Sequence, residues 1–359
     1  MGGQNQVIKL RWGSDAEGLK FEGAKPGVKF ALGENVKQSN WGEDATSRYP
    51  QTRMGVEEIM RDTFAAAREY EADRDGAKGS GAPFRRDLRL EAAGEILRGD
   101  RIVHIHSYRQ DEIFMFARLA KELGFTVGTF QHILEGYKVA DELAAIGAGG
   151  SSFSDWWAYK FEVYDAIPYN GPLMHRAGVV VSFNSDDNEL ATRLNTEAAK
   201  AVKYGGLRDE EALKFVTLNP AKQLRIDARV GSLEPGKDAD LVLWSAHPLS
   251  SFARAEQTWI DGRRYFSAEE DRQLRESNAQ ERERLIAKAL PERIKALKKK
   301  GDQAGEDKDD AGDKKPGLWR RLGLANPAAA SLTECPDALL GPYHDGRSAH
   351  TCTSGCCGR

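Results

Sequence analysis

From residue 5 to about residue 205 the chain alternates short apolar runs with longer amphipathic stretches. The runs QVIKLRW, GVKFAL, RIVHIH, TVGTFQH, GAGGSSF and GVVVSFNSD read as strands bounded by turn residues. Between several of them lie stretches such as DEIFMFARLAKELGF, whose apolar residues recur every three or four positions, the period of a helix packed on one face. Nearly continuous apolar strands alternating with helices imply an α/β domain whose parallel sheet is buried on both faces. Each run closes on polar, chemically capable residues. That is the arrangement of a (β/α)8 TIM-type barrel, where working residues gather at the carboxyl ends of the strands. A doubly wound open sheet is the competing architecture. The lack of a G-x-G-x-x-G or G-x-x-x-x-G-K-[ST] stretch to cradle a phosphate counts against it.

The pattern changes after about residue 205. DEEALKFVTLNPAKQL reads as one helix, and the text then becomes turn-rich, with two short strands, ADLVLW and QTWIDG, in a small β unit over residues 228–266. The predicted organisation is a barrel over 1–227, that β unit, a charge-dense helix over 267–300 and a mostly disordered tail over 301–359. The stretch GDQAGEDKDDAGDKKPG is almost free of apolar residues and cannot bury enough surface to order itself, so proteases are expected to cut there first.

Composition narrows the partner class. A chain of 359 residues can bury a large core, and a net charge of -3 gives no field that favours nucleic acid or an acidic membrane, so a small molecule is the expected partner. The sequence holds no run of 18 apolar residues and opens without the basic-then-apolar pattern of a secretory signal, which predicts a cytoplasmic protein as the chain stands. Its four cysteines, Cys335, Cys352, Cys356 and Cys357, all lie in the tail, so the body has no disulfide framework.

Candidate chemistry begins at VHIHSYRQDE. His104 and His106 point to the same side of a strand because side chains alternate with period two. A histidine at a strand end is more often a hydrogen-bonded structural residue than a ligand, but these two have company. His132 closes the next run about one strand-helix unit later, and Asp186 closes GVVVSFNSD about two units after that. Three residues of metal-ligand type at three strand ends would converge on one barrel mouth, and imidazole with carboxylate suits zinc or a similar divalent ion. Tyr108, Arg109 and Gln110 follow His106, and Glu135 and Tyr137 follow His132. They are either pocket-lining residues or a solvated loop in which Arg109 pairs with Asp111 or Glu112. Trp156, Trp157, Tyr159 and Tyr164 form either a substrate wall or part of the core. Asp187 reads as the N-cap of the following helix. In the tail, His344 and His350 with the four cysteines have the density of a small zinc site without its spacing, so an unstructured terminus with reactive thiols is the simpler reading.

These stretches resemble the amidohydrolase superfamily, specifically its imidazolonepropionase-like and prolidase-like branch. IHSYRQDEI, FQHILEGYKVADEL and SFNSDD carry the resemblance, together with TLNPAKQL, GSLEPGKDADLVLWSAHP and TWIDGRRYF, and it spans roughly residues 1–266. It implies that His106 and His132 are metal ligands. It also implies that Asp186 is both a ligand and the base that takes a proton from the attacking water. Lys29 falls where some relatives carry a carboxylated lysine bridging two metals, the alternative being a strand lysine paired with an acid. His104 is then a supporting or packing residue. The cofactor implied is one or two Zn2+ or other divalent ions, and the activity implied is hydrolysis of an amide, cyclic amide or peptide-like bond. The segment after residue 228 corresponds to the carboxyl-terminal part of a small β-sandwich.

One departure bears on this. The family's first strand carries a His-x-His pair, whereas no histidine precedes His104 here. The opening residues resemble a mid-barrel segment, which leads to the expectation that the first two strands are missing and that a signal, if there is one, lies in the missing part. A metal-dependent hydrolase, with homo-oligomerisation compatible, is therefore set against an inactive truncated remnant or interaction module. A His-x-His strand encoded immediately upstream would discriminate the two.

Overall fold

The computed structural model describes residues 2–38, 42–153 and 160–303, with side chains to residue 298. The chain divides into two units, the first ending at Asn278. In the first, six strands form one sheet in sequence order: β1 (Gly3–Asn5), β2 (Gly27–Ala31), β3 (Ile102–His106), β4 (Val127–Gln131), β5 (Gly149–Ser152) and β6 (Val181–Phe183). β1 is antiparallel to β2, and every later pair is parallel. The order never reverses, so the sheet lacks the switch point that defines a doubly wound fold. The result is a mixed α/β fold with a parallel sheet.

Register sorts the side chains into two faces, because paired residues point the same way. Val28, Phe30, Val103, Ile105, Phe130, Val181 and Phe183 share the outer face, where the apolar core lies. Helices α1 (Arg53–Ser80), α2 (Leu88–Leu97) and α3 (Gln110–Leu123) contribute Phe64, Ile96 and Phe116 to that core. Phe116 is fully buried, with ring centroids 5.9 Å from Phe30, 5.7 Å from Phe125 and 6.0 Å from Phe130. Phe116→Ala removes a ring that three others pack against and is expected to cost about 3–5 kcal/mol, read as a fall in unfolding free energy in urea. The opposite face is polar: Lys29, His104, His106, Thr129, Gln131, Ser151 and Ser182 are in register across β2 to β6. A sheet that packs its apolar side on helices leaves this second face for chemistry.

The helix predicted over DEEALKFVTLNPAKQL is two helices, α4 (Asp209–Lys214) and α5 (Leu218–Gln223). Pro220 has no amide hydrogen to continue the first helix and fits only the opening turn of the second. The break frees the Phe215 carbonyl to accept the amide of Phe183 at 2.8 Å, which pairs the edge strand β6. Gln223 of α5 then seals the polar face, donating to the Val180 carbonyl at 2.7 Å and accepting from Ser182 Oγ at 2.7 Å.

A second sheet is an antiparallel meander of β7 (Leu241–Trp244), β8 (Ala255–Ile260) and β9 (Arg263–Ser267). Its third strand follows from Asp261–Gly262, both at positive φ, the pair that closes a tight two-residue hairpin. QVIKLRW, expected to be a strand, makes only an isolated bridge, Ile8 with Lys20. Its alternation is inverted: Lys9 is buried while Leu10 and Trp12 are exposed. The cause is a cluster of three carboxylates. Lys9 Nζ lies 2.6 Å from Asp238, 2.9 Å from Asp240 and 2.5 Å from Asp261. These acids sit close enough together to suggest a cation site, and the cation they hold is the Lys9 ammonium.

Burial opposes the charge on Lys9, but the hydrogen bonds to Asp238, Asp261 and Asp240 outweigh it and raise its pKa. Burial likewise works against ionised Asp238 and Asp261, and their cationic partners pull both below the usual range. The raised lysine contributes stability below its ordinary 10.5, lost as pH rises through the folded value. The lowered aspartates contribute above their ordinary 3.8, lost as pH falls through theirs. Lys9→Met is therefore expected to destabilise the protein by about 2 kcal/mol near neutral pH, after discounting for partial exposure of the acids. That deficit shrinks in acid as the carboxylates protonate, and thermal unfolding across pH measures it.

The charge-dense region forms the long helix Ala268–Gln303. No helix among the described residues is long and apolar enough to cross a membrane. The tail from residue 304, including the Cys/His cluster, lies outside the described residues.

Candidate metal centre

The carboxyl ends of β3, β4 and β6 bring His106, His132 and Asp186 together. His106 ends β3, and His132 follows the last residue of β4. Their ring centroids lie 5.0 Å apart, and His132 Nε2 is 3.7 Å from Asp186 Oδ2. His132 and Asp186 both adopt positive φ, 57° and 46°. A non-glycine residue in that region costs of order 1 kcal/mol and persists only where the surroundings hold it. Here the turn directs each side chain from a strand end towards the same point. Phe153 stacks on His132 at 5.0 Å, and the Tyr108 ring meets His106 edge-on at 4.5 Å, so the two imidazoles are held from both sides.

Electrostatics keep both rings neutral. Burial, then the neighbouring His132, Lys29 and Lys160, push His106 down to about 3. Burial, then Lys29, push His132 to about 3 as well. A neutral imidazole carries a free lone pair on one nitrogen. His106 Nε2 and His132 Nδ1 are buried without a hydrogen-bond partner among the described residues, which is costly in a finished apolar site and is what a ligand-ready nitrogen looks like. The donor set fits a divalent cation. Lys29 reaches the same region and donates to Gln131 Oε1; burial lowers its pKa against the opposing pull of Asp186. Its partner is thus an amide and not the acid expected of a purely structural strand lysine.

His104 sits deeper, and burial followed by Lys29 pushes it to about 4. A Cβ added at Gly27 would come within 3.2 Å of the His104 ring and one at Gly128 within 3.1 Å, so glycines on both neighbouring strands make room for it. That is a packing role. Asp187 is the N-cap of the short helix Asn188–Ala191, accepting from the amides of Glu189 and Leu190. Tyr108 is buried at the centre. Arg109 pairs with Asp111 at 3.0 Å, the alternative to pocket lining, and lies over the Phe161 ring. Gln110 is exposed and contributes its backbone amide to Glu135, which is buried and ties the two loops together. Tyr137 donates its hydroxyl to the Asp165 carbonyl. Tyr164 is exposed. Trp156, Trp157 and Tyr159 lie outside the described residues.

Several neighbours escaped the sequence reading. Gln131 and Asn184 sit beside the expected ligands in FQH and FNSDD, a signal that adjacency alone could have supplied. Asn184 Nδ2 donates to Ser151 Oγ at 2.6 Å. Arg53, Glu112, Lys160 and Glu162 form a charged chain at the same end of the sheet, assembled from three distant segments.

Comparison with known proteins agrees with this geometry. The Amidohydrolase family profile matches residues 170–264. Amidohydrolase tasK of Hapsidospora irregularis is 33% identical over 253 residues, 67% of this chain and 25% of that protein. An imidazolonepropionase of Thermoplasma volcanium is 31% identical over 122 residues, 33% of this chain and 30% of that protein. The chain thus spans a quarter to a third of these curated relatives. The crystal structure of an amidohydrolase from Thermotoga maritima superposes with a TM-score of 0.67 at 33% identity, covering 74% of this chain and 68% of that one. With sequence and fold agreeing over two thirds of that structure, the chain belongs to the amidohydrolase superfamily.

Proposed function

We propose that the protein is a metal-dependent hydrolase of an amide or cyclic amide bond, built on a wall of a (β/α)8 barrel, with the small sheet as part of a β-sandwich. The observation that carries this is a pair of buried, neutral imidazoles, each with one nitrogen that has no hydrogen-bond partner among the described residues, gathered with an acid at the carboxyl ends of β3, β4 and β6. His106, His132 and Asp186 would hold the cation, with Lys29 alongside as a further ligand if carboxylated. When bound, a divalent ion there supplies Lewis acidity that acidifies water and polarises a carbonyl. The chain's own residues do the rest. Asp186 takes the proton of the attacking water and returns it to the leaving nitrogen. Phe153 and Tyr108 exclude bulk water from the imidazoles and hold their orientation. Lys29, with its lowered pKa, is the amine best placed to react with carbon dioxide, which requires the neutral form.

Zinc or manganese uptake by the full chain, followed by release of free amine from a panel of N-acyl amines and lactams, tests the reading. Stoichiometric metal and metal-dependent amine release are expected. A chain that takes up no metal at micromolar concentrations, or hydrolyses nothing when loaded, would overturn it.

A further inference from the structure

The turn that aims His132 is braced by a residue outside the proposed ligand set. Asn170 opens the short helix Asn170–Arg176 and is 1% exposed. Its carboxamide reaches two other segments. Oδ1 accepts the Tyr137 amide at 2.9 Å, while Nδ2 donates to the Ile133 carbonyl at 2.7 Å and to Ser152 Oγ at 2.8 Å. Ile133 and Tyr137 lie on the loop that leaves His132. Ser152 closes β5, its hydroxyl donates to the Phe153 carbonyl at 3.2 Å, and Phe153 stacks on the His132 ring at 5.0 Å. The Ser152 carbonyl also accepts the amide of Asn184 at 3.1 Å, two residues before Asp186.

His132 needs such a brace. Its φ of 57° persists only where the surroundings hold it, and a loop fixed at Ile133 and again at Tyr137 cannot relax the turn that precedes it. A carboxamide suits the task because it offers an acceptor and two donors in one plane. A carboxylate lacks the donors, and an apolar side chain of the same size would leave buried backbone groups unsatisfied. The role of a satisfied core asparagine explains the burial of Asn170. It does not explain why each of these bonds ends on a segment flanking the same imidazole. Asn219 makes the contrast: it is also buried, and its Nδ2 donates at 2.7 Å to the carbonyl of Val181, the first residue of β6, at the end away from Asp186.

We propose that Asn170 is the positioning residue of the metal centre: by bracing the loop after His132 and the strand end that leads to Phe153, it fixes the direction of the His132 imidazole. The placement of the ring rests on these contacts alone, and its consequence for a bound cation rests on the hydrolase reading.

The test compares Asn170→Ser with Asn219→Ser in the full chain. In the metal-free protein, the His132 ring-proton resonance, identified by its loss in His132→Ala, reports the Phe153 ring stacked on it. With cobalt bound, the visible absorption reports ligand geometry, and competition with zinc gives the affinity. Asn170→Ser is expected to move the resonance, change the cobalt spectrum and weaken zinc about tenfold, the lower end of what is lost with a supporting partner of a metal ligand. Asn219→Ser should lower thermal stability and leave all three at their wild-type values. Ser152→Ala cuts only the link from Asn170 to Phe153, should move the resonance the same way by less, and decides the matter if Asn170→Ser does not fold. A wild-type resonance in the folded variants, a wild-type cobalt spectrum with wild-type zinc affinity, or equal changes in Asn219→Ser would overturn the assignment. Failure of the hydrolase reading looks different: a wild-type chain that takes up no metal, with a His132 resonance that still depends on Asn170.

Discussion

His106→Ala and His132→Ala are each expected to abolish stoichiometric binding of zinc or manganese by the full chain. Supporting partners of metal ligands already change affinity by about 10–100-fold, so loss of a direct ligand should exceed about 100-fold. Each substitution deletes one of the two buried nitrogens that have no other partner among the described residues. Because neither nitrogen makes a hydrogen bond to the described residues, their removal should not unfold the protein, and the circular dichroism spectrum should match wild type. His104→Gln is the contrasting variant. His104 is packed against Gly27 and Gly128, so this change should lower thermal stability and leave metal content intact. Elemental analysis after dialysis against zinc reads all three. Full metal occupancy in either His106→Ala or His132→Ala would remove that residue from the centre, and metal loss in His104→Gln alone would move the site one step down the strand.

The convergence of His106, His132 and Asp186 was legible because barrel-like grammar converts spacing along the chain into proximity: one strand-helix unit separates the first two, and β3 and β4 match their apolar runs to within a residue, whereas β6 occupies only Val181–Phe183 of GVVVSFNSD. Periodicity also marked the stretches that hold core rings, since Phe30, Phe116 and Phe130 lie on strands and a helix with clear patterns. What stayed hidden depends on contacts between distant segments. Nothing in QVIKLRW announces that its lysine points inwards, because the reason lies in three aspartates more than 200 residues away. Arg53 opens a helix far from the residues it joins, Glu112 and Glu162. The positive φ of His132 and Asp186 is invisible for another reason: both residue types tolerate many backbone conformations, and only the surrounding fold selects this one. Pro220, by contrast, stood in plain view within DEEALKFVTLNPAKQL, and giving its missing amide full weight would have split that helix in two.

Asp186→Asn is expected to retain metal largely while turnover falls by on the order of 100-fold or more, the usual scale for losing a positioned acid or base. The substitution separates two roles. Asparagine keeps the size and one ligand oxygen but cannot accept a proton at neutral pH, so binding persists and proton transfer does not. The backbone supports this choice of variant. Asp186 holds φ at 46°, a conformation that asparagine tolerates better than nearly any other side chain, so the strand end should keep its shape. Half of the Asp186 side chain is exposed, which leaves it open to water and substrate, whereas its neighbour is already engaged. Asp187 accepts from the amides of Glu189 and Leu190 at 2.9 Å each, and asparagine caps a helix nearly as well as aspartate. Asp187→Asn should therefore cost a few tenths of a kcal/mol in stability and little in rate. Metal content and amine release measured on both variants decide the matter. A larger loss of turnover at Asp187, or equal losses at both positions, would mean that the proton is carried by a different acid. Loss of metal from Asp186→Asn in step with activity would make Asp186 a ligand and nothing more.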